Sequence, residues 1–270
     1  MQQQPRRSFM GRMAAALAVP LLLAAGAAQA KKPTRHHDTQ SSVDDRLKAM
    51  EKQMQEMSER LGALEDLEAI RRLHNAYGYY LDRGLHQAVV DLFSDDGQVE
   101  YGGGLYRGRA GIARLYGQVL KARWLGAADA PVNGWLHDQL MLQDVIDVAP
   151  DRRTAQARVR CFIQAGSHES RLDAPPEAAG QWWEGGIHEN VYAKGDDGKW
   201  RIQSLRYYAV YRATYEQGWA HAQPMPVTAP VLFPQDPAGP DQAAPESLPA
   251  WPAMPPVAFH YAHPVTGKPV

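Results

Sequence analysis

Apolar residues recur with two different phases near the start of the chain. Between residues 44 and 65 they are spaced alternately three and four positions apart, as in the a/d seam of a coiled coil. The residues of this first phase are Leu47, Met50, Met54, Met57, Leu61 and Leu64. The alternative is one amphipathic helix that packs on its own domain. A second phase follows and predicts that this coiled-coil-like helix leads into the first helix of a domain. Its residues are Leu67, Ile70, Leu73, Tyr77, Tyr80 and Leu81.

Beyond this helix the pattern changes to that of short helices and then strands. We expect helices over 87–93 and 109–121, a short strand over 98–101, and long strands over 136–148, 154–164, 182–194 and 200–212. Helices followed by a run of strands are typical of an α+β fold. A curved antiparallel or mixed sheet wrapped around the long helix would leave a pocket between them.

The N-terminus has the features of an export signal. Arg6 and Arg7 form a twin-arginine pattern, and an apolar run over 13–28 follows. Ala28 and Ala30 have the spacing of a cleavage site, so we expect cleavage after Ala30 and a periplasmic or secreted protein. The run is too short to span a membrane, so the mature chain is expected to have no stable span.

Two further segments lie outside the predicted domain. Residues 31–43 are polar and charged, and we expect a disordered linker there. Residues 223–270 hold most of the 20 prolines and are expected to form an extended tail. Trp251, Phe259, His260 and Tyr261 are potential anchors in it. The tail either packs on its own subunit or on a neighbour, or it is loose.

Charge and cysteine content exclude several classes of protein. The chain has 270 residues, with 29 basic against 30 acidic side chains, and loss of the signal with its three arginines leaves 26 basic. This balance argues against nucleic-acid binding. The lone Cys161 excludes an internal disulfide and a cysteine-based zinc cluster. No phosphate loop, dinucleotide fingerprint or Gly-x-Ser-x-Gly motif is present, so no cofactor is expected.

Several motifs resemble a known family. They are the helix sequence 73–84 (LHNAYGYYLDRG), the turn 92–97 (LFSDDG), the segment 106–112 (YRGRAGI), and the strand sequences 185–192 (GGIHENVY) and 198–202 (GKWRI). Together these resemble a SnoaL-like domain of the nuclear transport factor 2-like superfamily, here over 66–222. The resemblance implies a cone-shaped α+β fold. That fold carries dehydratases, isomerases, epoxide hydrolases and noncatalytic binders, so it does not by itself decide the function.

The resemblance also implies a set of catalytic residues. It is nearest to the branch of lindane dehydrochlorinase, bile acid 7α-dehydratase and scytalone dehydratase, which use an Asp–His pair inside the cone. By position in the motifs, Asp82 matches the aspartate, His137 the histidine, Tyr77 a polar partner on the helix and Arg206 an arginine on the last strand. The implied reaction is an elimination that needs no metal.

The residue types suit such a reaction, although each also has a structural interpretation. A carboxylate that holds one imidazole nitrogen prepares the other to take a proton. Tyr77 and Arg206 would then stabilise the leaving group. Alternatively, Asp82 ends a helix, His137 faces outward after a one-residue shift in register, and Arg206 forms a surface ion pair.

The remaining candidates concern the walls of the pocket. We expect Tyr80, Trp183, His188 and Tyr208 to line it as an aromatic wall, or else to be ordinary core residues. Glu184, His188 and Glu189 lie on one strand and, with Asp82, provide a weak alternative as metal ligands. We therefore expect no metal.

Three functions remain open from the sequence. The first is a lyase that eliminates water or a similar group from a small hydrophobic molecule, with His137 as base and Asp82 orienting it. The second is a noncatalytic ligand-binding or assembly module with the same pocket. The third is an isomerase, which would use a carboxylate base and survive the loss of His137. In each case we expect a homo-oligomer, either a dimer or a trimer.

Overall fold

The computed structural model describes residues 36–128, 130, 132–224, 229–245, 251–254 and 256–270, with side chains described from residue 42 onward. The predicted signal, residues 1–30, lies outside the described residues. The chain divides into two units, residues 1–53 and 54–270. In the described part of the chain, no helix combines the length and apolar character needed to cross a membrane.

One long helix, α1, carries both apolar phases and extends over His36–Asp82. The second phase turns into the core, where Ile70, Tyr77 and Leu81 are buried. The six side chains of the first phase are between 55% and 68% exposed. The alternative prediction, that this face packs on the protein's own domain, is therefore wrong for Met54, Met57, Leu61 and Leu64.

The predicted linker needs a correction. Residues 36–43 are helical, because α1 begins at His36 rather than at residue 44. Extending an existing helix costs far less than nucleating a new one, so a polar segment joined to a long helix can continue it. The first five linker residues, 31–35, lie outside the described residues.

The other helices are short and come before the long strands. They are α2 (His86–Val90), α3 (Gly108–Arg114) and α4 (Lys121–Trp124), with a π-helical turn over Leu115–Leu120 joining the last two. Short 3-10 turns occupy Pro176–Ala178 and Trp219–His221. The two helices predicted beyond α1 are thus present, the second of them interrupted by the π turn.

Among the described residues, seven strands form one mixed sheet in the order β3-β4-β5-β6-β1-β2-β7. Their bounds are β1 (Phe93–Tyr101), β2 (Gly104–Arg107), β3 (Trp135–Val148), β4 (Thr154–Ser167), β5 (Gln181–Lys194), β6 (Trp200–Thr214) and β7 (Gln242–Ala243). The β1–β6 pair is parallel and the others are antiparallel. Alternate residues of β4 and β5 are buried, as the period of two predicts for a sheet with one face on a core. The α+β prediction is confirmed.

The described parts of the tail pack on the protein's own chain. Asp241 accepts a hydrogen bond of 2.7 Å from the guanidinium of Arg114, and β7 next to it pairs with β2. Further along, Arg158 donates to the carbonyl oxygens of Val257 and Ala258, at 3.0 and 2.7 Å. These contacts of the described tail residues are made with the protein's own chain.

Candidate active site

The last turn of α1 lies close against β3. Gly78 allows this approach, because a Cβ atom there would lie 3.2 Å from the carbonyl oxygen of Gln139 and from Cε of Met141. Gly84, with φ of +63°, follows the helix, and its N–H donates to the carbonyl of Leu81 at 3.0 Å. A glycine in this left-handed conformation ends a helix without steric cost.

Asp82 and His137 meet at this contact. Nδ1 of His137 lies 2.8 Å from Oδ1 of Asp82, and the backbone N–H of Gln139 donates to the same oxygen at 3.0 Å. Because an ionised carboxylate only accepts hydrogen bonds, it selects the imidazole tautomer with the proton on Nδ1. Nε2 is then the nitrogen with a free lone pair, available to a substrate.

The helix itself does not explain a carboxylate at this position. Asp82 is the last residue of α1, where the helix dipole is negative and disfavours an anion. Its hydrogen bonds to β3 supply the compensating interactions. The interpretation of Asp82 as a residue that only ends the helix is therefore weaker than its interpretation as the orienting partner of His137.

The orientation of β3 decides which way His137 faces. His137 and Gln139 are buried, whereas Leu136, Leu140 and Leu142 on the other parity are exposed. The indole of Trp124 stacks on the imidazole with ring centroids 4.7 Å apart, and that of Trp135 lies at 6.2 Å. His137 thus faces the interior, and aromatic rings fix its plane.

His137 lies on a cavity of about 90 Å³ between α1, the helices and the inner face of the sheet. Its walls are mainly apolar and aromatic, including Leu81, Leu115, Leu120, Ile163 and Trp182. Its polar groups besides His137 include Gln139, Glu184, His188 and Arg212. A largely apolar cavity with a few convergent polar groups is typical of a small-molecule site.

Tyr77 also lines this cavity, one and a half turns before Asp82 on α1. Its hydroxyl lies 3.1 Å from that of Tyr116, which comes from the π-helical turn and lines the same cavity. Burial raises the pKa of both phenols, so both keep their protons. One hydroxyl donates to the other, and the second proton is left for a ligand.

Arg206 does not join these residues, which corrects its predicted place. Its side chain is 41% exposed, and its Nε donates to Glu100 at 2.9 Å. The reason is an irregularity in β6: Tyr192 pairs with Ile202 but Val191 with Ser204, so one extra residue reverses which side chains face inward. Arg212, after a second such shift, lines the cavity instead.

Three of the four predicted wall residues also need correction. His188 lines the cavity, but Trp182 and Tyr207 line it in place of Trp183 and Tyr208. Trp183 differs in parity from His188 on the same strand, so the two cannot both face inward. Tyr208 is displaced by the same extra residue in β6 that turns Arg206 outward. Tyr80 is half-buried against the core rather than at the cavity.

Sequence reasoning missed the polar groups that share the cavity with the dyad. The sequence pattern suggests Glu184 only as a metal ligand, and it gives no role to Gln139 or Arg212. The spacing of Glu184 and His188, four residues apart on one strand, was the available signal, because it places both on one face. Glu189, the third residue of that metal alternative, faces the other way and pairs with Arg158 and His260.

Burial strongly perturbs the acid–base groups of this cavity. It raises the pKa of Glu184, an effect that Tyr207, Arg212 and His137 partly oppose. It lowers the pKa of His188 well below the usual range, and neighbouring His74 lowers it further. In the described part of the chain, no group of three side chains with metal-binding donors is assembled.

The comparisons with known proteins agree with this architecture. A family model described as a SnoaL-like domain matches residues 62–206, which is more than half of the chain. The protein belongs to the SnoaL-like domain family and has its α+β, nuclear transport factor 2-like fold. No curated protein matches the chain.

Similar solved structures match a little over half of this chain. One is the hexachlorocyclohexane dehydrochlorinase LinA-type3 from Novosphingobium barchaimii, 16% identical, with 57% of this chain and 92% of that chain covered and a TM-score of 0.46. Another is an NTF2-like protein with a cystatin-like fold from Novosphingobium aromaticivorans, 25% identical, with 57% and 88% covered and a TM-score of 0.43. A third is ActVI-ORFA from Streptomyces coelicolor, 14% identical, with 53% and 96% covered and a TM-score of 0.40.

Proposed function

We propose that this protein is a cofactor-independent lyase that eliminates water, or a halide in the same way, from a small and largely apolar carbonyl compound. The observation that carries the proposal is the 2.8 Å contact between Asp82 and His137 on the wall of an apolar cavity. Because Asp82 takes Nδ1 of His137, Nε2 is the nitrogen that remains for a ligand in this cavity.

His137 is the base in this reaction. Its Nε2 takes a proton from the substrate carbon, and Asp82 holds the resulting imidazolium through Nδ1–H. An imidazole is a weak base toward carbon, and hydroxide is a poor leaving group, so elimination of water needs a carbon acid that a neighbouring carbonyl group activates. This requirement is the reason for choosing carbonyl compounds.

The Tyr77–Tyr116 pair supplies the hydrogen bond that the carbonyl oxygen needs. Negative charge moves onto this oxygen as the proton leaves, and donors fixed in advance stabilise such charge strongly in an apolar site. The free phenol proton of the pair is one such donor. Tyr77 is thus proposed to act on the carbonyl oxygen of the substrate rather than on the leaving group.

The size of the cavity limits the substrate. At about 90 Å³ it is smaller than the engineered protein cavity of about 150 Å³ that binds benzene. A short branched chain therefore fits inside the cavity, whereas a single ring fits only in part and extends through the side on which the cavity is open.

Turnover of small β-hydroxy and β-chloro ketones tests the proposal. We expect the protein to accelerate formation of the enone from 3-hydroxycyclohexanone, 3-chlorocyclohexanone or their open-chain butanone analogues. Loss of a general base typically costs about 10²–10⁴-fold, so His137→Ala should fall to near the uncatalysed rate. His221→Ala, at an exposed histidine of the same chain, is the matched control and should keep full activity.

Other outcomes favour the alternatives. If these ketones raise the melting temperature but are not turned over, the protein is a noncatalytic binding module. If double-bond migration in an enone persists in His137→Ala, a carboxylate is the base and the protein is an isomerase. Either result contradicts elimination by the Asp82–His137 pair.

We further propose that the protein is exported and cleaved after Ala30. The twin-arginine pattern and the apolar run before Ala30 support this. Mass spectrometry of the protein from the periplasm or medium of its host should give an N-terminus at Lys31. An intact N-terminus in the cytoplasm is the opposing result.

The exposed first phase of α1 supports a homo-oligomer. Met54, Met57, Leu61 and Leu64 are each more than half exposed. Because apolar side chains at a/d spacing are stabilised by a matching helix, we propose that a second or third copy of this chain covers them. The resulting assembly is a dimer or a trimer.

A further inference from the structure

Glu184 is a buried carboxyl group that the dyad does not use. It is 8% exposed, on the inner face of β5, and lines the same cavity as His137. Acidic side chains are seldom buried unless a cation or several hydrogen-bond donors compensate them. A carboxyl group in this position therefore needs an explanation.

Arg212 does not neutralise Glu184 through a close ion pair. Its Nε lies 3.9 Å from Oε2 of Glu184, which is beyond hydrogen-bonding distance. The guanidinium stacks instead on Trp182, 4.3 Å from the ring centroid, and its side chain is 35% exposed. Arg212 therefore compensates the carboxyl group only in part.

The groups that lie near Glu184 come from four other strands of the sheet. They are Tyr207 and Arg212 on β6, His137 on β3, Cys161 on β4 and Tyr101 on β1. The hydroxyl of Tyr207 is itself buried and lies near both the carboxyl group of Glu184 and the thiol of Cys161, although it meets neither with the geometry of a full hydrogen bond. Two of these neighbours are phenols and one is a thiol, and burial raises the pKa of all three, so they stay uncharged.

We propose that Glu184 is the general acid of the elimination, which gives its proton to the departing hydroxyl group of the substrate. This inference rests on the proposed function and adds a catalytic residue to it. The position supports it, because base and acid then lie on one cavity, on β3 and β5, with β4 between them. Burial also favours the protonated carboxylic acid that the role requires.

The protons and electrons of this step balance. Nε2 of His137 removes H⁺ from the carbon next to the carbonyl, and the C–H electron pair becomes the new C=C bond. The C–O bond breaks, its electron pair leaves with the oxygen, and the proton of Glu184 completes a water molecule. Imidazolium and carboxylate remain, and transfer of the proton from His137 to Glu184, directly or through water, restores the starting state.

A change of leaving group separates this role from a structural one. Hydroxide needs a proton to depart, whereas chloride does not. We expect Glu184→Gln to slow elimination from 3-hydroxycyclohexanone by about 10²–10³-fold while the rate with 3-chlorocyclohexanone stays within about threefold. Retained turnover of the chloro compound also shows that the variant is folded. Glu216→Gln, at an exposed glutamate, is the matched control.

The outcomes distinguish the acid from the lyase itself. Equal effects of Glu184→Gln on both compounds, or no effect on either, overturn the role of Glu184, while His137→Ala still tests the base independently. If His137→Ala retains both activities, the proposed function fails whatever Glu184 does. If the wild-type protein turns over neither compound nor the butanone pair, both the proposed function and this inference are contradicted.

Discussion

Gly78 lies where a Cβ atom would approach the carbonyl oxygen of Gln139 to 3.2 Å, and this close packing places Asp82 within reach of β3. Asp82 comes four positions after Gly78, so both are on the same face of α1. The glycine thus positions the candidate site although it contributes no side chain to it.

Replacement of this glycine should affect activity more than stability. In Gly78→Ala, the new methyl group must push β3 away by a few tenths of an ångström, while alanine improves helix propensity by up to about 1 kcal/mol. We expect a melting temperature close to that of wild type and turnover reduced by about three- to tenfold, since catalysis is sensitive to small displacements. Gly117→Ala, where a Cβ meets open space, is the control. Unchanged turnover in Gly78→Ala shows that the contact does not position the dyad.

Asp82→Asn tests the orienting role of the carboxylate. The amide keeps the size of the side chain but cannot stabilise the imidazolium, and it favours the wrong tautomer of His137. We expect kcat to fall by about 10²–10⁴-fold with a much smaller change in KM. Steady-state kinetics on the ketone panel measures this, with Asp96→Asn, at an exposed aspartate, as the control. A variant with wild-type kcat leaves Asp82 without an orienting role.

The stability of the fold should decrease in acid because of buried His74. Burial lowers the pKa of His74 from 6.5 to about 4, and its Nδ1 accepts hydrogen bonds from Tyr192 and Asn190. Below pH 6.5 the unfolded chain therefore binds a proton that the folded protein excludes, so stability falls as the pH falls from about 6.5 to about 4.

Denaturant unfolding at two pH values measures this effect. Between pH 7 and pH 5, His74→Asn should lose about 2 kcal/mol less of its unfolding free energy than wild type. Comparing the two changes, rather than the two stabilities, removes the packing cost of the substitution. Equal losses in the two proteins show that His74 takes up no extra proton on unfolding. Burial also lowers the pKa of His188, so this residue makes both wild type and His74→Asn less stable in acid.

The exposed methionines Met54 and Met57 of α1 predict an oligomer interface that substitutions on this face can disrupt. Charges at Met54 and Met57 should convert the oligomer to a monomer, because a buried methionine contributes about 1.5–3 kcal/mol. Light scattering of residues 31–270 should give a dimer or trimer for the unaltered chain and a monomer for Met54→Glu/Met57→Glu. Ala49→Glu/Gln55→Glu adds the same charge at exposed positions of α1 that lie away from the apolar seam and should remain oligomeric. A monomeric unaltered chain removes the proposed role of this face.

Much of the fold follows from local patterns. The alternation of β4 and β5 predicts their buried faces, and the two apolar phases of α1 distinguish the residues that enter the core from those that do not. These predictions succeed because a regular strand or helix repeats the same environment at a fixed interval.

The errors arise where the regularity is interrupted. One extra residue in β6 after Ile202 turns Arg206 and Tyr208 outward, and another near Val210 brings Arg212 inward. Neither irregularity has a signal in the apolar pattern, because both faces of β6 carry aromatic residues. The contact between Asp82 and His137 depends on helix–sheet packing at Gly78. The apolar pattern does not predict this contact, and only the resemblance to a family implied it.

The most direct measurement is exchange of the α-protons of cyclohexanone with D₂O, followed by proton NMR. This ketone has no leaving group, so its exchange reports proton removal from carbon alone. We expect the wild-type protein to accelerate the exchange, Glu184→Gln to retain it, and His137→Ala and Asp82→Asn to lose most or all of it. Exchange at the uncatalysed rate with wild type, or undiminished exchange with His137→Ala, contradicts a base formed by the Asp82–His137 pair.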